Sequence, residues 1–226
     1  MKVFAHRGAS AEAPENTLSA FALALDLGAD GVELDVRLTA DGVPVVLHDG
    51  LLDRTTSGTG AVRDLSLADL RAVDAGNGQG VPTLAEVVDV IAGRAFLDVE
   101  IKAADAGSAT LAALARIDIN GWAISSFDWE VLRWLRTQSS QAELWPLMHT
   151  VRPEALRFAS DISASILAVH HDAVDAVMEA EMGKRGIGLM VWTVNDRERA
   201  KELQRIGVRS LCTDDPRSIR TAIETT

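Results

Sequence analysis

The chain has 226 residues, of which 47% are hydrophobic and 24% charged, and its formal net charge is −11. This composition is typical of a globular protein and excludes a fibrous or largely disordered chain. The acidic balance also argues against a nucleic-acid partner, which would need a basic face to neutralise phosphates. Cys212 is the only cysteine, so an intramolecular disulfide is excluded. Without a signal peptide or a membrane-length apolar run, we expect a cytoplasmic protein with no membrane span.

Short apolar runs alternate with amphipathic stretches along nearly the whole chain, which is typical of a parallel sheet with crossover helices. Strands are predicted near 3–7, 31–37, 95–102, 122–127, 143–148, 166–170, 188–194 and 210–214. Helices are predicted near 17–28, 83–92, 107–116, 129–137, 153–159, 173–185, 196–206 and 216–224. Eight strand–helix pairs favour an α/β fold of the (β/α)8 TIM-barrel type, for which about 250 residues is usual. An open doubly wound sheet is the alternative, but the first strand lacks a Gly-x-Gly-x-x-Gly turn.

One stretch departs from this alternation. The dipeptide Asp41-Gly42 precedes a second strand-like run over 43–48, and Asp-Gly between apolar runs is a strong hairpin signal. We therefore predict an extra strand that folds back on the second barrel strand. The glycine-containing segment 49–81, with a short helical pattern near 66–73, is predicted to be a small insertion near the barrel mouth. The whole chain, 1–226, is expected to form one catalytic barrel domain.

Acidic and apolar residues alternate on two of the predicted strands. Glu33 and Asp35 share one strand face, and Asp98 and Glu100 share another. In isolation, such a strand would be interpreted as an amphipathic edge strand. In a barrel, helices cover the outer face, so these acids must point inward. Like charges buried together require a compensating cation. Carboxylate oxygens suit Mg²⁺ or Ca²⁺ better than zinc, which predicts one divalent ion bound by Glu33, Asp35 and Glu100.

Two histidines, His6 and His48, end strand-like runs. A lone histidine in either position is more often structural, but catalytic residues of barrels come from C-terminal strand ends, where His6 falls. The position of His48 relative to the mouth is an inference. If the two rings face one another across a phosphate, they can act as general acid and general base. Arg7 and Lys102 would add positive charge for an anionic substrate.

A series of short motifs runs nearly from end to end. In chain order they are His6-Arg7-Gly8, Pro14-Glu15-Asn16-Thr17, Glu33-Leu34-Asp35-Val36, His48-Asp49, Leu52-Asp53-Arg54-Thr55-Thr56, Val81-Pro82-Thr83-Leu84, Glu100-Ile101-Lys102, Ser126-Phe127-Asp128, Trp192-Thr193-Val194-Asn195 and Thr213-Asp214-Asp215-Pro216. Each is weak alone. Together, in this order and spacing, the chain resembles the glycerophosphodiester phosphodiesterases, particularly their short cytosolic bacterial members.

The resemblance implies a distorted (β/α)8 barrel with a small insertion after the second strand. It also implies metal-dependent hydrolysis of small-molecule glycerophosphodiesters to sn-glycerol 3-phosphate and an alcohol. The implied roles are acid–base catalysis for His6 and His48, metal binding for Glu33, Asp35 and Glu100, phosphate binding for Arg7 and Lys102, and the apolar side of a glycerol pocket for Phe127 and Trp192. For Trp192, a place in the barrel core is the alternative.

Neighbouring residues are expected to support the site. Glu15 could pair with Arg7, and Asp49 could orient His48. Either Asn16 or Thr17 can cap the following helix. Loop or cap positions are expected for Asp128 and Asn195, while His170 and His171 are left without a role.

Two other functions compete with this interpretation. Another metal-dependent barrel enzyme acting on sugar phosphates could share the fold, although it would not explain the paired histidines. A catalytically silent barrel could serve as a binding or regulatory module, but such relatives are expected to have lost a histidine or a carboxylate. The sequence leaves open the head group, activity on lysophospholipids, the choice between Mg²⁺ and Ca²⁺, the acid and base assignments, direct water attack against a cyclic phosphate, and the oligomeric state.

Overall fold

The computed structural model describes residues 1–115 and 121–225. Its strands are β1 (Lys2–His6), β2 (Gly31–Leu38), β3 (Pro44–Val46), β4 (Phe96–Ile101), β5 (Trp122–Ser126), β6 (Leu144–Met148), β7 (Ile166–His170), β8 (Gly188–Trp192) and β9 (Ser210–Thr213). Its helices are α1 (Leu18–Asp26), α2 (Leu67–Leu70), α3 (Leu84–Ile91), α4 (Gly107–Leu114), α5 (Trp129–Gln138), α6 (Pro153–Asp161), α7 (Ala176–Lys184), α8 (Arg197–Arg205) and α9 (Pro216–Glu224). The end of the helix predicted over 107–116 lies outside the described residues.

Eight parallel strands form a closed ring. The order around it is β1, β2, β4, β5, β6, β7, β8 and β9, and β1 closes the ring by pairing with both β2 and β9. The predicted (β/α)8 barrel is therefore confirmed. No helix in the described part of the chain is long and apolar enough to cross a membrane.

The inward and outward faces of β2 show why the acids point into the barrel. Val32, Leu34 and Val36 are fully buried in a core cluster that also contains side chains of α1 and α3. Because side chains alternate along a strand, Glu33 and Asp35 lie on the opposite face, toward the barrel axis. Val32, Leu34 and Val36 thus pack against the surrounding helices, and the carboxylates point into the barrel.

A separate apolar cluster fills the barrel interior below the acids. The Phe96 and Trp145 rings stack at a centroid distance of 5.4 Å, and Phe4 packs against both rings. This packing leaves no room for a side chain at Gly31, where a β-carbon would lie 2.4 Å from the Phe4 ring. The charged residues therefore lie above a solid apolar floor and not in an open channel.

The extra strand folds back as predicted. β3 pairs antiparallel with the end of β2 after a turn in which Gly42 has a φ of +79°. The segment 49–81 then contains α2 and contributes to a further apolar cluster. Its members Leu52, Val62, Leu70, Ala75 and Val81 pack with Val45 of β3 and with Leu47, which follows β3.

Candidate active site

The candidate site lies at the C-terminal ends of β1, β2 and β4, which are neighbours in the ring. In the strand register His6 lies beside Glu33, and Asp35 lies beside Glu100. Residues that are distant in sequence are therefore brought together by pairing alone. His48 arrives from the fold-back strand, and the Nε of Arg37 fixes its backbone by donating to the His48 carbonyl at 2.8 Å.

Three buried carboxylates form the centre of the site. Glu33, Asp35 and Glu100 are each at most 8% exposed, and one oxygen from each lies within 4.8 Å of the others. Burial, followed by repulsion from the neighbouring carboxylates, raises the pKa of Glu33 well above its ordinary value. The pKa of Glu100 is raised for the same reasons. This arrangement is unfavourable for three anions alone.

The carboxylate cluster passes a simple test of fit for a cation. Glu33 Oε1 and Asp35 Oδ1 are buried and accept no hydrogen bond within the described residues. Buried polar atoms are normally satisfied, so two unsatisfied oxygens on the same cluster indicate a missing partner. The donor set consists only of carboxylate oxygens, which suits a hard divalent ion.

Two fixed cations flank the cluster. Arg7 Nε lies 3.1 Å from Asp35 Oδ2, and Lys102 Nζ lies 2.7 Å from Glu100 Oε1 and 3.4 Å from Asp35 Oδ1. Burial alone would raise the pKa of Asp35, but Arg7 and Lys102, with smaller contributions from His48 and Asn16, hold that pKa below its usual value. The buried amide of Asn16 also donates to Asp35 Oδ2 at 2.8 Å. Asp35 is therefore the carboxylate of the cluster that stays ionised most readily.

Both histidines line one cavity of about 280 Å³ together with Arg7, Glu33, Glu100 and Lys102. Each ring is held through Nδ1: His48 lies 2.6 Å from Asp49 Oδ1, and His6 lies 2.6 Å from Asp214 Oδ1. Burial lowers the pKa of His48 despite the nearby carboxylates. With Nδ1 occupied on both rings, Nε2 is the nitrogen that each can offer to a ligand.

An outer ion-pair network connects Asp49, which holds His48, with Arg7, which contacts the carboxylate cluster. Arg54 binds Asp49 Oδ2 at 2.6 Å and both oxygens of Glu15 at 2.8 and 2.9 Å. Glu15 in turn accepts a bond from Arg7 Nη1 at 2.9 Å. The structure thus brings Glu15 to Arg7 and Asp49 to His48.

The opposite side of the mouth carries aromatic rings, which we call the ring wall: Phe127, His149, His170 and Trp192. Neighbouring rings in this wall have centroid distances of 5.1 to 5.8 Å. Phe127, His149 and Trp192 line the same cavity as the two site histidines. Trp192 therefore lines the cavity and also packs against the apolar cluster of the barrel interior.

Several site contacts were not foreseen from the sequence. Thr17 caps α1, whereas Asn16 has a φ of +58° and turns its side chain to Asp35. Asn195 lies in the loop before α8, one of the two positions predicted for it; Asp196 caps the helix, and Asn195 donates to Asp214. The predicted cap role of Asp128 is seen at α5. Asp214 follows a barrel strand directly, and the strand-end rule that singled out His6 could have found it.

A second group with metal-ligand atoms follows β7. His170, His171 and Asp172 offer nitrogen and oxygen atoms within 4.8 Å of one another. His170 Nδ1 already accepts a bond from the Asp172 amide, and Asp172 is exposed. His171 Nδ1 is also buried without a hydrogen-bond partner among the described residues. This group combines two imidazoles with one exposed carboxylate, so it lacks the buried, all-carboxylate donor set that suits Mg²⁺ or Ca²⁺.

The family model for the glycerophosphoryl diester phosphodiesterase family matches residues 6–218. A glycerophosphodiester phosphodiesterase of Caldanaerobacter subterraneus is 34% identical over 96% of this chain and 95% of its own length. The chain therefore belongs to the glycerophosphoryl diester phosphodiesterase family. The predicted enzyme class, a phosphoric diester hydrolase, is confirmed.

Solved structures agree with this assignment. An Oleispira antarctica phosphodiesterase in complex with the product sn-glycerol-3-phosphate superposes with a TM-score of 0.94 at 29% identity, covering 99% of this chain and 97% of that one. A glycerophosphodiester phosphodiesterase of Agrobacterium tumefaciens has a TM-score of 0.85 at 32% identity, with coverage of 98% and 99%. The resemblance thus extends over the whole barrel.

Proposed function

We propose that this protein hydrolyses glycerophosphodiesters to sn-glycerol 3-phosphate and an alcohol, with one divalent metal ion as cofactor. One observation carries the proposal: two imidazoles, each held by a carboxylate, share a cavity with a buried carboxylate cluster that has unsatisfied oxygens. The product complex of the Oleispira relative supports sn-glycerol 3-phosphate as the product here.

Glu33, Asp35 and Glu100 would hold the ion, and their oxygen donors suit Mg²⁺ or Ca²⁺. When bound, such an ion would supply positive charge that stabilises the developing negative charge on the phosphoryl oxygens. Without it, the cluster is a set of mutually repelling anions, as the raised pKa of Glu33 indicates.

The chain's own cations and histidines perform the remaining steps. Arg7 and Lys102 bind the phosphodiester oxygens and orient the phosphorus atom. One imidazole takes a proton from the attacking hydroxyl, and the other donates a proton to the departing alkoxide through Nε2. The attacking hydroxyl can belong to water, or to the glycerol itself, in which case a cyclic phosphate forms and water then opens it.

The ring wall shapes the other part of the cavity. Phe127 and Trp192 offer apolar faces to the glycerol carbons while the phosphate lies toward the charged side. We include the segment 49–81 in the same catalytic domain, because Arg54 of this segment binds Glu15 and Asp49 beside the site. A cytoplasmic location fits a substrate of this small, water-soluble kind.

The test is release of sn-glycerol 3-phosphate from glycerophosphocholine by the purified protein with Mg²⁺, Ca²⁺ or EDTA. Glu33→Ala and His6→Ala should abolish release, whereas His171→Ala should retain it, because His171 does not line the cavity. If several head groups give no release with either ion, the protein is a silent binding barrel. Release from a sugar phosphate alone would favour the other metal-dependent enzyme.

A further inference from the structure

The carboxylate that holds His48 is its sequence neighbour Asp49, whereas the carboxylate that holds His6 comes from the far end of the chain. His6 Nδ1 lies 2.6 Å from Asp214 Oδ1, across 208 positions of sequence. We propose that Asp214 is the positioning residue that fixes the tautomer and orientation of His6. This inference rests on the proposed function, in which His6 transfers a proton.

The bond determines which nitrogen faces the substrate. A carboxylate accepts but does not donate when ionised, so a neutral imidazole beside it carries its proton on Nδ1. His6 Nε2 is then unprotonated and lies on the cavity side, 3.9 Å from Glu33 Oε2. A free imidazole would divide its population between two tautomers and several ring orientations, and only one of these presents Nε2 as a base.

Asp214 is itself fixed by neighbouring side chains. Asn195 Nδ2 donates to its second oxygen at 2.5 Å, and Ser10 Oγ lies 3.2 Å from the oxygen that His6 contacts. Asn195 Oδ1 also accepts from the Asp214 amide at 2.9 Å and from Thr213 Oγ1 at 3.0 Å. Two donors, Asn195 Nδ2 and Ser10 Oγ, thus fix the carboxylate, and the carboxylate fixes the His6 ring in turn.

Asp214 differs from Asp49 in its charged neighbours. Within residues 1–115 and 121–225, His6 is its ion-pair partner, and its other side-chain contacts are neutral. Asp49 differs, because Arg54 binds it at 2.6 Å and shares its charge. Burial would raise the pKa of Asp214, but the contacts with His6, Asn195 and Ser10 together outweigh burial and hold that pKa at about 2. Asp214 therefore stays ionised at neutral pH.

Asp214→Asn tests the proposal because it keeps the size of the side chain and removes its charge. We expect kcat to fall about 100-fold, with KM changed less than about threefold, since the loss of an orienting partner typically costs 10- to 100-fold. The matched control is Asp215→Asn, which removes the same charge one residue away. Asp215 caps α9 through Ser218, and asparagine caps a helix equally well, so this variant should retain wild-type kcat.

A second readout separates positioning from a merely structural role. In ¹⁵N-histidine-labelled protein, wild-type His6 should show a protonated Nδ1, and Asp214→Asn should shift the ring toward the other tautomer. Unchanged Mn²⁺ affinity in the variant would show that the carboxylate cluster is intact. A wild-type tautomer with kcat within twofold of wild type would overturn the proposal. If the wild-type protein releases no product, the proposed function fails, and the tautomer measurement still tests the contact.

Discussion

The two halves of the barrel mouth are both built from residues at strand ends, but different interactions hold their side chains in place. The ends of β1, β2 and β4 carry His6, Asp35 and Lys102. Asp35 and Lys102 each have an opposite charge within 4 Å, and the His6 ring is held by Asp214. On β5 to β8 the strand ends carry the ring wall, which is held by packing between rings. Buried charge requires fixed partners, whereas rings require only contact. We infer that the charged half performs the chemistry and the ring wall recognises shape.

The largest effect should follow from emptying the carboxylate cluster. EDTA, or Glu100→Ala, should reduce sn-glycerol 3-phosphate release by about 1,000-fold or more, because a bound ion contributes several kcal/mol to the transition state. Steady-state rates with and without added Mg²⁺ or Ca²⁺ measure this loss. Asp105→Ala removes an exposed carboxylate on the same connection and should have wild-type activity. Full activity of the Glu100 variant in EDTA would contradict the inference that the carboxylate cluster and its ion take part in the chemistry.

A smaller but still large effect is expected for His48→Ala. Loss of one acid–base group typically costs about 10²- to 10⁴-fold in rate. The variant should bind metal ions as the wild type does, because His48 lies outside the carboxylate cluster. Parallel measurements of kcat and of Ca²⁺ affinity by calorimetry check both parts. A fall in kcat of less than tenfold would remove His48 from the acid–base pair.

The ring wall should affect binding more than chemistry. Phe127 is 44% exposed, so Phe127→Ala leaves the core intact. Losing part of an aromatic face costs at most about 1.5–3 kcal/mol, and we expect KM to rise about three- to tenfold with kcat nearly unchanged. Trp134→Ala is the control, since this ring is similarly exposed but lies on the outer helix α5. A large fall in kcat for Phe127→Ala would contradict the inference that the ring wall acts in binding and not in the chemical step.

The smallest expected effect is a change in the free energy of unfolding of the metal-free protein when Glu33 is replaced. Because the pKa of Glu33 is raised on folding from its ordinary 4.5, the folded protein holds a proton that the unfolded chain releases. The free energy of unfolding should therefore fall as pH rises from 4.5 through the folded pKa. In EDTA at pH 8, Glu33→Gln should be more stable than wild type by about 1 kcal/mol or more, which corresponds to about 2–4 °C in Tm.

Thermal unfolding of both proteins between pH 5 and 8, with EDTA or excess Mg²⁺, measures this difference. Excess metal should reverse the order, because the ion stabilises the form that binds it. The exposed Glu198→Gln serves as the control and should follow the wild type at every pH. A Glu33 variant that is less stable than wild type in EDTA at pH 8 would contradict the repulsion inferred for the cluster.

The barrel could be predicted from the sequence because its signals are local. Alternation along β2 separates Glu33 and Asp35 from the apolar set, and Asp41-Gly42 marks the hairpin that carries His48 back toward β2. Strand pairing then places these residues side by side without further information. The membership in a known family adds the expected reaction to this local pattern.

The side-chain contacts that hold the site together could not be predicted from local sequence patterns. The bond between His6 and Asp214 joins the first and last barrel strands, so it exists only after the ring closes. The sequence left Asn16 and Thr17 as alternative caps of α1; Thr17 is the cap, and Asn16, with a positive φ, donates to Asp35 instead. Arg54 lies in the segment 49–81, and no periodic signal in that segment predicts its ion pairs with Glu15 and Asp49. Such contacts depend on tertiary geometry, and local propensity does not encode them.

The most direct test of the account is a crystal structure of the protein with Mn²⁺, using anomalous scattering to locate the ion. Mn²⁺ accepts the same oxygen ligands as Mg²⁺ and Ca²⁺. We expect one strong peak between Glu33, Asp35 and Glu100, within the charged half of the mouth. A peak only at His170, His171 and Asp172, or no peak at the carboxylate cluster, would contradict it.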